Sequence, residues 1–256
     1  MVPNSIAKSY NIKAMTDHTI RVLFIDDDED DFIITQELLN EIPFGKYIIE
    51  WASSYDTALK RINDMAHDVY LVDYRLGENT GVSIIKYAAA LGCEAPFIML
   101  TGKGDQKIDI EAMKSGAADY LIKDKIDPFT LERSIRYAIE RNQSIQAIKE
   151  KELKYRSIFE KTKDTIYIAD SGGSFSDIND SAIGLLGYTR DELLKMNILD
   201  FFNYRKDKEV FEGLLKERDE ISDFEAVFLT KSQEKIYCIL SAVYQFPSKG
   251  EKGFYQ

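Results

Sequence analysis

The first half of the chain alternates short apolar runs with stretches in which apolar residues recur at helical spacing. Short apolar runs bounded by turn residues are typical of fully buried strands. Five such strands are predicted, over Arg21–Ile25, Tyr47–Trp51, Val69–Val72, Pro96–Leu100 and Asp119–Ile122. Helices are predicted over Phe32–Asn40, Ser54–Met65, Gly81–Leu91 and Asp109–Ser115, with a fifth that begins near Pro128. Strands that alternate with helices predict an α/β fold built on a doubly wound, five-stranded parallel sheet.

The pattern changes after a long helix that contains neither Gly nor Pro from Phe129 to Phe159. Strand-like segments follow at Asp164–Ala169, Ser174–Ile178, Phe224–Thr230 and Ile236–Phe246, with helical segments at Asp180–Leu186, Asp191–Met196 and Lys206–Arg218. This order of strand-like and helical segments predicts a second domain of the α+β class with an antiparallel sheet. We therefore divide the chain into a flexible leader (1–19), an α/β domain (20–141), a helical connector (142–158) and an α+β domain (159–256) whose C-terminal strand is incomplete.

Composition narrows the range of partners. The net charge of −11 and the isoelectric point near 4.8 argue against binding to a nucleic-acid backbone. The two cysteines, Cys93 and Cys238, offer neither a disulfide framework nor zinc-ligand spacing. No apolar run is long enough for a membrane span, and no signal peptide is recognisable. These features predict a cytoplasmic protein that does not associate with membranes.

Polar side chains follow four of the predicted strands. Asp26 and Asp27 come after the first strand, Asp73 after the third, Thr101 after the fourth and Lys123 after the fifth. The carboxyl ends of parallel strands share one edge of a sheet, where ligands and chemistry collect. Clustered carboxylates repel one another, and their hard oxygen atoms suit Mg²⁺. A carboxylate can attack phosphorus, with a metal ion and a lysine neutralising the phosphoryl oxygens.

These five residues at their strand ends resemble the site of the receiver domain of two-component response regulators. The resemblance implies a flavodoxin-like fold and a phosphoryl group accepted on Asp73 from a histidine kinase or phosphotransfer protein. It also implies that Thr101 and Lys123 contact that group and that Tyr120 joins Thr101 in a conformational switch.

The same resemblance implies a Mg²⁺ site. Asp27, Asp73 and the backbone carbonyl of Arg75 would bind the ion directly, and Asp26 would act through water. One position departs from the family pattern, because Asp124 stands where the family usually has a proline in a cis bond after the lysine.

Two other interpretations of the acidic residues are open. The run Asp26–Asp31 could be a solvated cluster at a helix start, and the receiver could be degenerate and serve only as a docking scaffold. A hydrolase of the haloacid dehalogenase type would use Asp26 and Asp28 with Thr101 and Lys123. That family expects a threonine where this chain has Asp30, and it leaves Asp73 unexplained.

The second half resembles a PAS domain. The resemblance lies in the segments Asn179–Ala182, Leu185–Leu194 and Ile198–Phe202, and Thr189 with Glu192 forms a capping-box pattern. PAS domains serve as sensors or dimerisation modules. No histidine follows His67, and Cys238 lies in a predicted strand, so we expect neither haem nor flavin and favour an interaction module with a filled core.

The long helix carries a heptad-like row of residues. The row runs Leu131, Ile135, Ala138, Asn142 and Ile145, and then Ile148, Glu152, Tyr155 and Phe159. Such a row predicts a parallel homodimer through the connector, with one break in the 4-3 alternation. The alternative is that Leu131, Ile135 and Ala138 pack on the sheet of their own domain.

Overall fold

The computed structural model describes residues 19–43, 45–102, 114–170, 172–218, 220–245 and 253–255. They fall into two compact units that divide between Ile148 and Lys149. The predicted leader and the predicted helix Asp109–Ser115 lie outside the described residues, apart from Thr19, Lys114 and Ser115. Because the dividing point lies inside a continuous helix, the domain limits at residues 141 and 158 stay a prediction.

A five-stranded parallel sheet forms the first unit, as predicted. Its strands are β1 Thr19–Ile25, β2 Lys46–Ala52, β3 Val69–Asp73, β6 Phe97–Thr101 and β7 Asp119–Ile122, in the order β2-β1-β3-β6-β7. Every residue of β3 and β6 is buried, because helices cover both faces of a parallel sheet. A two-stranded hairpin, β4 Arg75–Leu76 with β5 Asn79–Thr80, follows β3 and was not predicted.

The described helices of the first unit are α1 Glu29–Asn40, α2 Tyr55–Asn63, α3 Gly81–Leu91 and the long α4 Pro128–Lys161, with a short 3₁₀ turn at Lys123–Lys125. The α1 helix begins three residues before its predicted start at Phe32. The apolar pattern begins only at Phe32, whereas the first turn consists of Glu29, Asp30 and Asp31, whose negative charges favour a helix N-terminus. Gly92 closes α3 with a left-handed φ of 82°, as its glycine predicts.

Helix α4 contributes to the core of the first unit through its early turns. Leu131 and Ile135 are fully buried and Ala138 is 5% exposed, and all three belong to an apolar cluster with residues of β1, β3 and β6. The alternative that these residues pack on their own sheet is therefore confirmed. They are not free to form the first half of a heptad seam.

The second unit is an α+β structure with an antiparallel sheet, also as predicted. Its strands are β8 Tyr167–Asp170, β9 Phe175–Ile178, β10 Glu220–Leu229, β11 Lys235–Gln245 and β12 Gly253–Tyr255, in the order β10-β11-β12-β8-β9. Its helices are α5 Asp180–Leu186, α6 Arg190–Leu193 and α7 Arg205–Glu217, with a 3₁₀ turn at Ile198–Asp200. The predicted helix Asp191–Met196 is shorter than expected, and the capping box of Thr189 and Glu192 forms at its start.

Asn179 connects the end of α4 to the second sheet. Its side chain is completely buried, and its amide nitrogen donates hydrogen bonds to the carbonyl oxygens of Phe159 at 3.0 Å and Asp164 at 2.8 Å. Its side-chain oxygen accepts from the backbone N–H groups of Ile166 and Ala182. A buried amide needs such partners for all its polar atoms, so these four bonds fix the chain where α4 ends.

In the part of the chain that the structure describes, no helix has both the length and the apolar character needed to cross a membrane.

Gly81 lets α3 approach the end of β3 closely. A Cβ atom at this position would clash with the backbone carbonyl of Asp73 and lie 3.0 Å from side-chain atoms of Met99 and Val72. We expect Gly81→Ala to lower the free energy of unfolding by about 2–3 kcal/mol, because the backbone and a packed core must shift. Chemical denaturation followed by circular dichroism measures this loss.

Gly184→Ala is the matched control for Gly81→Ala. Gly184 also lies in a helix, but a Cβ atom there would meet nothing within 4 Å. Alanine is the better helix former by about 1 kcal/mol, so this variant should be as stable as the parent or slightly more stable. Equal stability of the two variants would contradict the close approach at Gly81.

Candidate functional site at the carboxyl edge of the parallel sheet

Two buried carboxylates and one ammonium group meet where β1, β3 and β7 end. The Nζ atom of Lys123 lies 2.6 Å from Oδ2 of Asp26 and 3.0 Å from Oδ1 of Asp73. Asp26 is 1% exposed and Asp73 is 7% exposed. These three residues therefore meet at the carboxyl edge of the sheet, as expected from the geometry of a parallel sheet.

Backbone N–H groups orient both buried carboxylates. The N–H of Asp28 donates to Oδ1 of Asp26 at 3.0 Å, and the N–H of Arg75 donates to Oδ2 of Asp73 at 3.0 Å. Each carboxylate therefore has one oxygen fixed by the backbone and the other in contact with the ammonium group of Lys123. These contacts fix the orientation of both side chains.

The electrostatics of the site follow from burial and from the lysine. Burial raises the pKa of Asp26 to about 6, against the opposing effect of Lys123. Burial also raises the pKa of Asp73, again opposed by Lys123. Burial lowers the pKa of Lys123, but its hydrogen bonds to Asp26 and Asp31 outweigh that effect and raise the pKa above its ordinary value. The side chain of Lys123 is therefore protonated at neutral pH.

The donor set fits a hard divalent cation. Asp26, Asp27 and Asp73 each offer a carboxylate oxygen, and these oxygens lie within 4.8 Å of one another. Asp27 is exposed, and one of its oxygens accepts from the N–H of Gly77 at 3.2 Å. Three hard oxygen donors with an exposed side suit Mg²⁺, which keeps several of its waters when it binds to proteins.

Thr101 lies on β6, next to β3, and Tyr120 lies on β7, the following strand of the sheet. Thr101 is the last residue of β6 and is 4% exposed, and its neighbour Leu100 pairs with Asp73 in the sheet. Tyr120 lies on β7 and packs, half-buried, against the apolar cluster that contains Val72. The fold thus gives both residues positions along the strands that border the site.

The acidic run Asp26–Asp31 has several structural roles. Asp28 caps α1, since its side chain accepts from the N–H of Asp30 at 2.9 Å. Asp31 lies 2.6 Å from Nζ of Lys123, a contact that sequence reasoning missed. No signal in the sequence pointed to this contact, because Asp31 is one of six consecutive acids.

The single tryptophan of the chain also reaches the site, and sequence reasoning missed it too. The indole N–H of Trp51, near the end of β2, donates to the carbonyl oxygen of Asp26 at 2.8 Å. Its ring stacks on Phe32 with centroids 5.0 Å apart. Trp51 therefore lies next to the carboxylate cluster, and its fluorescence can be used to follow changes at the site.

Family comparisons agree with this geometry. A response regulator receiver domain matches residues 22–136, and a PAS domain matches residues 163–255. The first half of the chain is therefore a response regulator receiver domain, and a PAS domain follows it. The haloacid dehalogenase interpretation is wrong, because Asp28, which it requires in the site, caps α1 instead.

Individual relatives match the receiver half of the chain. The transcriptional regulatory protein ZraR of Escherichia coli K12 is 33% identical over 133 residues, which cover 52% of this chain and 29% of ZraR. The transcriptional regulatory protein FixJ of Rhizobium meliloti is 28% identical over 118 residues, which cover 46% of this chain and 55% of FixJ. The match thus spans less than two thirds of either relative's length.

Among solved structures, a response regulator receiver domain protein from Clostridium thermocellum is 27% identical with a TM-score of 0.45. The match covers 49% of this chain and 98% of that structure.

Proposed function

We propose that the receiver accepts a phosphoryl group on Asp73 from the phosphohistidine of a histidine kinase or phosphotransfer protein. The observation that carries this proposal is the buried Asp73 carboxylate, held 3.0 Å from Lys123 and grouped with Asp26 and Asp27. The protein then acts in two-component signalling, in the cytoplasm, with the PAS domain downstream in the chain.

In the proposed reaction an Asp73 carboxylate oxygen attacks phosphorus, and the bond between phosphorus and the imidazole nitrogen breaks. The imidazole keeps the electron pair and takes up a proton, and Asp73 becomes an acyl phosphate. When Mg²⁺ is bound, it neutralises charge on the phosphoryl oxygens. Asp27, Asp73 and the carbonyl of Arg75 would hold that ion directly, and Asp26 through water.

Two side chains would respond to the new phosphoryl group. Lys123 already lies within hydrogen-bond distance of Asp73 and would donate to a phosphoryl oxygen. The hydroxyl of Thr101, at the end of β6, would donate to another. Movement of Thr101 would free space for a different rotamer of Tyr120, which would change the surface of the receiver near β7.

Phosphoryl uptake tests this proposal directly. The full chain, incubated with Mg²⁺ and a small acyl phosphate donor, should gain one phosphoryl group by intact mass. We expect Asp73→Asn to gain none, because an amide cannot act as the nucleophile. Omission of Mg²⁺ should slow uptake strongly.

Asp64→Asn serves as the matched control, since Asp64 is exposed at the C-terminal end of α2, which leads back to the amino ends of the strands. It should take up phosphate as the parent does. If Asp73→Asn took up as much as the parent, Asp73 would not be the acceptor. A parent chain that takes up none would favour the docking-scaffold alternative.

We further propose that α4 forms a parallel homodimer and relays the receiver's change to the PAS domain. The seam lies in the middle of the helix, because Leu131, Ile135 and Ala138 are buried in the receiver. Ile145 is 42% exposed, Ile148 is 65% exposed and Tyr155 is 45% exposed on one side of α4. Apolar side chains at this spacing form a coiled-coil contact when a second helix covers them.

Disulfide trapping tests this homodimer. In a background without Cys93 and Cys238, Ile148→Cys should form a disulfide-linked dimer under mild oxidation. Glu150→Cys is the control, because two residues rotate its side chain by about 200° around the helix. A monomeric mass by light scattering, or equal trapping at both positions, would contradict the proposed seam.

For the PAS domain we propose an interaction role without haem or flavin. Aromatic rings fill its centre, with Phe201 between Phe175 and Phe228 at centroid distances of 6.0 and 6.1 Å. A cavity of about 310 Å³, lined partly by Cys238, lies at the small end of ligand pockets. A visible absorption band that copurifies in stoichiometric amount with the protein would contradict this proposal.

A further inference from the structure

Lys123 has a third carboxylate partner outside the metal-ligand group. Oδ2 of Asp31 lies 2.6 Å from its Nζ atom, as close as Oδ2 of Asp26. An ammonium group has three N–H donors, so Asp26, Asp31 and Asp73 can each take one. The side chain of Lys123 is 18% exposed and that of Asp31 is 30% exposed, so this ion pair is only partly screened by water.

The three carboxylates differ in what they do when a cation arrives. Asp26 and Asp73 belong to the group whose oxygens converge within 4.8 Å, whereas Asp31 does not. A divalent cation at that group would attract both carboxylates and repel the ammonium of Lys123, since like charges at a few ångströms repel strongly in a partly buried site. Among the described carboxylates that contact Lys123, Asp31 would then be the one still available to it.

We propose that Asp31 is a positioning residue that holds the ammonium group of Lys123 away from Asp26 and Asp73 when a divalent cation binds to those carboxylates. This inference rests on the proposed function, because it concerns the Mg²⁺ and phosphoryl chemistry of the same site. Asp31 lies in the first turn of α1, which the side chain of Asp28 caps, so its position is set by a regular helix.

Without Asp31, the carboxylate partners of Lys123 among the described residues are Asp26 and Asp73. Its ammonium group would then compete more strongly with Mg²⁺ for those two carboxylates. Groups that orient metal ligands from the second coordination layer commonly change metal affinity about tenfold or more when they are replaced. We therefore expect Asp31→Asn to weaken Mg²⁺ binding by about tenfold, with an Asp31→Glu variant recovering most of the loss.

The experiment is a titration of the full chain with Mg²⁺ alone, followed by calorimetry and by Trp51 fluorescence. Trp51 is the single tryptophan and donates to the carbonyl of Asp26. Asp30→Asn is the matched control, because Asp30 lies in the same helical turn, carries the same charge and is exposed. It should change the Mg²⁺ dissociation constant by about twofold or less, the effect of a screened surface charge.

The Lys123→Ala variant shows whether Asp31 affects Mg²⁺ binding by positioning Lys123 or by its negative charge alone. If Asp31 acts through Lys123, Asp31→Asn should change Mg²⁺ affinity in that background no more than Asp30→Asn does. An undiminished effect in the Lys123→Ala background would overturn the proposal. An unchanged Mg²⁺ affinity for Asp31→Asn in the otherwise native chain would overturn it as well.

Measurements on the parent chain distinguish failure of the proposed function from failure of the proposed role of Asp31. If the parent binds no Mg²⁺ and takes up no phosphoryl group, the proposed function fails, and the role of Asp31 fails with it. If the parent does both and Asp31→Asn is indistinguishable from it, only the role of Asp31 fails. If Asp31→Asn does not fold, Asp31→Glu provides the comparison, and its Mg²⁺ affinity should then lie within about threefold of the parent's value, since it keeps the charge.

Discussion

Compensation of buried carboxylate charge is the constraint on which the receiver depends. Asp26 and Asp73 are almost entirely removed from water, and burial disfavours their ionised forms. The ammonium of Lys123 supplies the opposite charge at 2.6 and 3.0 Å, and backbone N–H groups fix the remaining oxygens. The carboxylates are therefore held in place by the protein itself.

Sequence reasoning found the part of the site that topology determines. The parallel sheet delivers strand ends to one edge, so Asp26, Asp73 and Lys123 could be brought together without coordinates. It could not find Asp31, because six consecutive acids look alike in a sequence. An acidic side chain in this run can contact Lys123, cap the helix or face solvent, and its direction from the helix axis decides which. For Asp31 the outcome also depends on Lys123, which is 92 positions away in the sequence. The contact of Trp51 with Asp26 depends on strand order in the same way.

The long helix shows a similar limit of pattern reasoning. A row of apolar residues predicts that one side of the helix is covered, but the period does not say by what. The structure divides the row: Leu131 and Ile135 contact the receiver sheet, Ile148 is exposed, and Phe159 is 3% exposed within the second unit. A break in the 4-3 alternation lies where the exposed stretch begins. The sequence predicted the limits of the helix to within a few residues. Which of its residues are buried in the receiver, exposed or buried in the second unit follows only from the packing.

The bonds of Asn179 have a consequence for dissecting the protein into fragments. The PAS family match begins at residue 163, yet an amide hydrogen bond from Asn179 ends on the carbonyl of Phe159. A fragment cut at the family boundary would lack that carbonyl and the buried ring of Phe159, and it would leave a buried N–H without its acceptor. The part of the chain that these hydrogen bonds hold together therefore begins several residues before the family match. A fragment that begins within the helix, upstream of Phe159, would retain the hydrogen bond between Asn179 and Phe159.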